Sequence, residues 1–283
     1  MIYLLNENPT LDSNQLPIQW MKHHPNLKYL ILNYNLQTII KAHQLHINNR
    51  VLNMFDYFQG VSSTIPILQG NPTIYSLPLN SDLFIKNRQI MHDDAPVANI
   101  NCYQGTNQLQ QIDYLDSMNN VIKSDLWDAR GFLSRSLFYD DKQLANAVTY
   151  DMFNEPIIEE IYSNYQDNLT LAQLKLTWQQ QVFIFDNYTG AYMLFLKKLL
   201  HDDDILIAET SLMINLITEL DTSCLTAILI NDKNLNNVVD NLQSLSKLDY
   251  FLVTSKGHQE MIKRLLEENQ LSSIILKLIP KEF

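Results

Sequence analysis

The sequence predicts an α/β protein, a Rossmann-like parallel sheet carrying an inserted antiparallel β-meander. Three observations support this. Apolar strands alternate with amphipathic helices at the start of the chain, a run of aromatic-plus-acid repeats follows, and the strand–helix alternation then resumes. In order, residues 2–5 read as a strand, 15–23 as a helix, 27–32 as a strand, and 36–46 as a helix with Leu36, Ile39, Ile40 and His43 on one face. Beyond the repeats and a helical or irregular connector near 169–178, VFIFD (182–186), ILIAE (205–209), AILIN (227–231), YFLVT (250–254) and IILKL (274–278) read as strands. Helices are expected between them, around 192–200, 212–220, 235–245 and 259–268. Leu235, Val238, Val239, Leu242 and Leu245 keep a period of 3.6. Near-continuous apolar strands separated by such helices mean a mostly parallel sheet covered on both faces.

Between about residues 102 and 166 the chain reads YLDSMNNVI, LWDARGFLS, FYDDKQLAN and YDMFNEPII, with Asp116, Asp128 and Asp140 twelve residues apart. Twelve residues hold one strand and a tight turn but not a helical repeat, so this segment is expected to be an antiparallel meander. Val121, Leu133, Leu144 and Ile157 open the successive strands. Asp, Asn and Gly occupy the breaks, where positive φ or side-chain-to-backbone bonding is needed, and Gly131 is expected to sit at positive φ. The expected division is a Rossmann-like domain from 1–60 and 170–283, with the meander at 61–169.

Composition limits the function. The 283 residues suggest two domains, and 46% hydrophobic residues suffice for real cores. With 31 acidic against 20 basic residues the formal charge is −11, which opposes binding to nucleic acid or to an anionic membrane surface. Two distant cysteines, Cys102 and Cys224, fit a reducing compartment better than a disulfide framework. The start, MIYLLNENPT, resembles a first strand and not a signal peptide, and no stretch approaches the ~18 apolar residues of a membrane span. A cytoplasmic protein is expected.

Sites for chemistry are sparse. The six glycines, at 60, 70, 105, 131, 190 and 257, never cluster into a phosphate-cradling loop, and no Gly-x-Ser-x-Gly elbow is present. Asn187-Tyr-Thr-Gly190 follows a strand and precedes a helix, where backbone N–H groups can meet an anion, but an ordinary helix cap is the better account. His92-Asp93-Asp94 and His201-Asp202-Asp203-Asp204 are contiguous runs whose members do not converge on one ion; solvated turns explain them. His43 and His46 lack a third metal ligand at a convincing spacing, so His43 is expected to help cover the sheet. Ser211 and Ser255 read as N-caps, and Glu209 is the carboxylate best placed to face a crevice at the carboxyl edge of the sheet. No catalytic, cofactor-binding or metal residue is assigned.

The segments LILNYN (30–35), FDYFQ (55–59) and above all LWDARGFLSRSLFYDD (126–141) resemble the first of the accessory secretory proteins of the accessory Sec system of Gram-positive bacteria. That resemblance implies a GT-B glycosyltransferase-like fold, with the meander inserted in its first Rossmann-like domain and without transferase activity or cofactor. It further implies a role in exporting glycosylated serine-rich-repeat adhesins. The implied partners are two sister accessory proteins, a motor ATPase and the adhesin, with membrane contact only through the translocon. The sequence stops where a second, donor-binding Rossmann-like domain is expected, and without those groups a departing diphosphate lacks a preorganised partner. The alternative is the acceptor-binding half of a protein O-glycosyltransferase, which needs a partner chain for donor binding. Trp127, Arg130, Phe132 and Tyr139 are the candidate protein-interaction residues. Adjacent strand residues such as Phe138 and Tyr139 are expected on opposite faces.

Overall fold

The structure is a computed structural model that describes residues 1–7, 11–12, 16–67, 72–165, 168–271 and 273–278. Gln15, Gly70 and the chain after Leu278 lie outside the described residues. Two compact units are present: Met1–Phe55 with Tyr192–Phe283, and Asp56–Ala191.

The first unit is a parallel sheet. Its strands are β1 (Ile2–Asn6), β2 (Leu27–Ile31), β3 (Val51–Asn53) and, after the inserted unit, the strands designated β14 (Ile205–Ala208), β15 (Leu225–Ile230), β16 (Tyr250–Val253) and β17 (Ile275–Leu278). They lie in the order β17-β16-β15-β14-β1-β2-β3, every pair parallel. Helices α1 (Leu16–His23) and α2 (Leu36–Gln44) connect β1 to β2 and lead from β2 towards β3. Between β3 and β14 lie α3 (Met54–Gln59), the inserted sheet and α4 (Tyr188–Leu199); α5 (Ser211–Glu219), α6 (Leu235–Asp240) and α7 (Lys256–Glu268) follow in turn. The chain runs outward from β1 in one direction and from β14 in the other, so right-handed crossovers place α1 and α2 on one face and α5 to α7 on the opposite one. Ile18, Trp20 and Met21 of α1 accordingly join a buried cluster with Leu4, Tyr29, Ile31, Ile207, Leu229 and Leu252.

The second unit is a ten-stranded sheet of consecutive strands, β4 (Leu83–Lys86), β5 (Gln89–His92), β6 (Ala95–Cys102), β7 (Leu109–Leu115), β8 (Val121–Trp127), β9 (Leu133–Asp140), β10 (Gln143–Tyr150), β11 (Pro156–Tyr165), β12 (Asn168–Trp178) and β13 (Gln181–Phe185), antiparallel throughout. The repeated acids explain why it meanders. Asp116, Asp128 and Asp151 each open a turn closed by the same bonds: the residue three along donates to the aspartate carbonyl, and the aspartate N–H reaches the carbonyl four along. The carboxylate also accepts from the backbone N–H two residues on, at 2.8 Å in all three. The fourth residue is left-handed in each, Asn119 (φ 63°), Gly131 (φ 101°) and Asn154 (φ 67°), the conformation needed for the hairpin to follow strand twist. Asp140 departs from this pattern: it precedes a two-residue turn in which Asp141 and Lys142 both take positive φ. Asn87-Arg88 and Gln179-Gln180 do the same, so these tight hairpins form without glycine.

Several expectations need correction. The segment near 169–178 is neither helical nor irregular but is β12, and VFIFD is not the resumed parallel sheet but β13, the last strand of the meander. The periodicity there alternates every two residues; both strands are extended over one covered and one open face, which short apolar runs do not distinguish from buried parallel strands. The helix expected over 235–245 ends at Asp240 and gives way to a 3-10 turn, Ser244–Lys247. Thr210, not Ser211, caps α5, whereas Ser255 caps α7 as expected. His43 is exposed and covers nothing. Asp204 is not solvated but buried, its carboxylate accepting the His201 N–H at 2.8 Å.

Gly131→Val forces a β-branched side chain into the left-handed region. It is expected to cost about 1 kcal/mol or more, read as a lowered thermal midpoint; an unchanged midpoint would mean the turn relaxes to another type.

Candidate functional site

Two polar constellations stand out, one in each unit. In the parallel sheet, strand order reverses between β1 and β14, and a crevice opens beyond the carboxyl ends of strands at such a switch point. Glu209, directly after β14, stands there. Its Oε2 accepts from Asn6 Nδ2 at 3.0 Å and from the hydroxyl of Tyr29 at 2.7 Å. Thr210 Oγ1 donates to Glu7, while Asn234 Nδ2 donates to the backbone carbonyls of Glu209 and Leu229. Nearby, the Tyr192 hydroxyl donates to Asn33 Oδ1 at 2.6 Å. Burial pushes the Glu209 carboxyl above the usual carboxylate range, and the Asn6 and Tyr29 hydrogen bonds oppose it. Burial, reinforced by Glu209, likewise raises the Tyr29 phenol. A second carboxylate, Glu7, lies close enough to add its charge to the rise of Glu209 and takes the Thr210 hydroxyl, and among the described residues there is no cluster of His, Cys, Asp and Glu that could hold a metal.

Asn187-Tyr-Thr-Gly190 has a steric rationale. A Cβ at Gly190 would lie 2.4 Å from the Phe185 ring, so glycine permits the start of α4 to close onto the end of β13.

In the meander unit the segments FDYFQ and LWDARGFLSRSLFYDD come together. The Arg130 guanidinium, 1% exposed, pairs with Asp128 at 2.7 Å and with Asp56 of α3 at 2.6 Å. Both carboxylates are contacted in a fork: Asp56 receives Nη1 and Nη2, Asp128 receives Nε and Nη2. Burial alone would lower the Arg130 pKa, but the bonds to Asp128 and the charge of Asp56 raise it, so the cation is fixed. Burial raises the Asp56 carboxyl against the pull of Arg130. One helical turn on, Gln59 donates to Ser134 Oγ at 3.0 Å and to the Tyr150 carbonyl at 2.6 Å, and the Tyr57 and Phe58 rings lie 5.7 Å from that of Trp178. On the same face, buried Arg135 pairs with Glu160, which also accepts the Tyr188 hydroxyl at 2.6 Å.

The four candidate interaction residues are thus placed differently. Arg130 is committed to its two aspartates and is not presented to a partner. Trp127 is half-buried against the cluster of Ile90, Ile100 and Ile112, and its carbonyl accepts from Tyr103 at 2.5 Å. Phe132, at the end of the Asp128 turn, and Tyr139, on β9, are half-buried. The open apolar surface lies elsewhere, on the other face of the sheet. Cross-strand register lines up Phe138, Asn146 and Ile161 in one row, and Val148, Glu159, Lys175 and Ile184 in the next. Ile161 is 47% exposed, Val182 57% and Ile184 61%. A Lys175–Glu159 pair at 2.6 Å crosses this patch, and Lys123 lies over the Tyr114 and Phe138 rings. β13 pairs with β12 alone, so its outer edge is open within the described sheet. The signal for this surface was the alternation in QVFIF, read as a buried strand because its register was unknown.

No protein-family model matches the sequence, and no curated protein does. The fold, however, is found in solved structures. One is the Glycosylation Associate Protein (Gap123) complex of Streptococcus agalactiae (TM-score 0.73, 16% identity, 99% of this chain and 61% of the other). A second is accessory secretory protein 1, 2 and 3 of Streptococcus pneumoniae (TM-score 0.73, 13% identity, 99% and 62%). A third is the pneumococcal O-GlcNAc transferase GtfA in complex with UDP and GlcNAc (TM-score 0.73, 15% identity, 99% and 60%).

Arg130→Ala leaves Asp56 and Asp128 facing each other without a cation, and is expected to cost about 3 kcal/mol or more by denaturant unfolding; Arg130→Lys recovers only part, since an ammonium cannot fork. For Glu209 the folded pKa is raised, so the folded state holds the proton more tightly. The corresponding stability is present below the ordinary value of 4.5 and is lost as pH rises through the folded value. Glu209→Gln is therefore expected to gain stability relative to the parent between mildly acidic and neutral pH; parallel stability–pH curves would contradict this. Taken with the comparisons, these units have the fold of the accessory secretory proteins and of the GtfA-type glycosyltransferases, and the chain spans about three-fifths of the length of those chains.

Proposed function

We propose that this chain is a non-catalytic component of a cytoplasmic accessory secretion complex, which helps deliver a glycosylated serine-rich-repeat adhesin to its translocon together with sister proteins and a motor ATPase. The observation that carries this reading is the open apolar face and edge of the meander at Ile161, Val182 and Ile184. A β-sheet edge beside exposed apolar side chains suits a partner strand, backbone bonds giving affinity and alternate side chains giving selectivity. The similar folds occur in solved complexes named for accessory secretory and glycosylation-associated proteins. The formal charge of −11 also suits a protein partner better than nucleic acid.

A second reading, the acceptor-binding half of a protein O-glycosyltransferase, is favoured by one specific observation. Glu209, Tyr29 and Asn6 gather at the switch-point crevice, where a hydroxyl acceptor can be held. It draws on the fold shared with GtfA.

A pull-down from the native host with the tagged chain, read by mass spectrometry, tests the first reading; recovery of sister accessory proteins and a motor ATPase is the expected result. Val182→Asp with Ile184→Asp is expected to lower that recovery at least tenfold while leaving the melting temperature within a few degrees, since both side chains already face solvent. Calorimetry with UDP-GlcNAc discriminates the second reading: clear binding by this chain alone would overturn the non-catalytic assignment.

A further inference from the structure

The parallel sheet carries a hollow on one face, at the amino ends of its strands. Right-handed crossovers carry α5, α6 and α7 to one side of β14 to β17, and among the described residues the other side is met by α1 and by Leu11. A hollow remains at the amino ends of the strands. Ile2, Leu27, Ile205 and Tyr250, the first residues of β1, β2, β14 and β16, line a pocket of about 320 Å³ there, together with Trp20, His24, Ile207, Ala227, Leu252 and Lys277. Its margin continues onto Leu225 and Ile275, register partners of Ile205 and Tyr250, which are 39% and 49% exposed. This is the opposite end of the strands from Glu209.

The lining gives both the shape and the sign of a ligand. Nearly all of it is aliphatic or aromatic, and its volume lies within the ~300–1,000 Å³ of small-molecule sites. Its polar groups are the Lys277 ammonium, the His24 imidazole, the Trp20 indole N–H and the Tyr250 hydroxyl, and no carboxylate is among the described lining residues. In a chain with 31 acidic and 20 basic residues, an apolar hollow whose only fixed charge is a cation stands against the average field. That cation is also positioned: Lys277 Nζ lies 4.8 Å from the Tyr250 ring centroid, a cation–π contact that holds it at the mouth.

We propose that this pocket binds a fatty-acid-class amphiphile, its alkyl chain lying along Ile205, Ile207 and Ala227 and its carboxylate meeting Lys277. Burying an alkyl chain against this surface supplies the affinity, at about 0.8 kcal/mol per methylene removed from water. The ammonium selects an anionic head over a neutral one of the same length. This site is independent of the secretion reading, which rests on the other unit.

The test is calorimetric titration of the whole chain with dodecanoate, held below its micelle concentration, beside dodecanol. The expected result is saturable binding of one dodecanoate per chain. Lys277→Gln, exposed and safe for folding, is expected to weaken dodecanoate roughly fivefold and to leave dodecanol unchanged. Ala227→Leu, which fills the floor, is expected to abolish binding of both while the chain still melts cooperatively. Absence of binding to the parent chain, uptake of many equivalents, or equal affinity for the two amphiphiles before and after Lys277→Gln would each overturn the proposal.

Discussion

The inserted sheet depends on one buried cation. Arg130 is almost wholly shielded from water, and its guanidinium can be ionised there only because Asp128 and Asp56 take its N–H groups in matched forks. Asp128 belongs to the hairpin turn that bears Arg130, whereas Asp56 belongs to α3, seventy-four residues earlier. A single side chain therefore fixes the turn and docks a helix onto the sheet. Once α3 is fixed, Gln59 can reach the backbone of β9 and β10, and Tyr57 and Phe58 can pack beside Trp178. A residue that reads in the sequence as a positive charge available to a partner is a structural centre, and the meander's outward chemistry is left to aliphatic residues on its opposite face.

That division is a consequence of sheet geometry. Side chains alternate across a strand, so β13 sends Phe183 and Phe185 to one face, with their rings 6.5 Å apart and parallel, and Val182 and Ile184 to the other. Covered aromatics and open aliphatics then follow from a single five-residue strand. The same logic governs the parallel sheet, where strand order reverses at β1 and β14. Glu209 stands at the switch point on the carboxyl side, and the hollow at the amino side lies on the face away from α5, α6 and α7.

Parts of this were legible beforehand because they rest on local rules. The aspartate-led repeats marked hairpins, since an Asp carboxylate that accepts the backbone N–H two residues on makes the turn within a few residues. Gly131 was legible as a left-handed position for the same reason. Glu209 was placed at the carboxyl edge by strand–helix order alone. Asp151 was not recognised as the third equivalent of Asp116 and Asp128, because Asp140 keeps the twelve-residue spacing while making a different turn. β12 was read as a connector, and β13 was read as a strand of the parallel sheet because five apolar-rich residues fit a buried parallel strand as well as a one-sided antiparallel one.

The sequence by itself determined the strand–helix alternation on either side of the insert, the aspartate-led hairpin turns, and the acidity that disfavours polyanionic ligands. Each depends on neighbours along the chain or on a sum over residues. Only the tertiary structure decided which side chains serve the fold and which remain available. Arg130 needed Asp56 to become buried, Glu209 needed Tyr29 and Asn6 from two other strands, and Lys277 needed Tyr250 to stand at the mouth of a pocket. These pairings join residues from 27 to 203 positions apart. Their energies come from burial and hydrogen-bond geometry, which exist only when the chain has closed on itself.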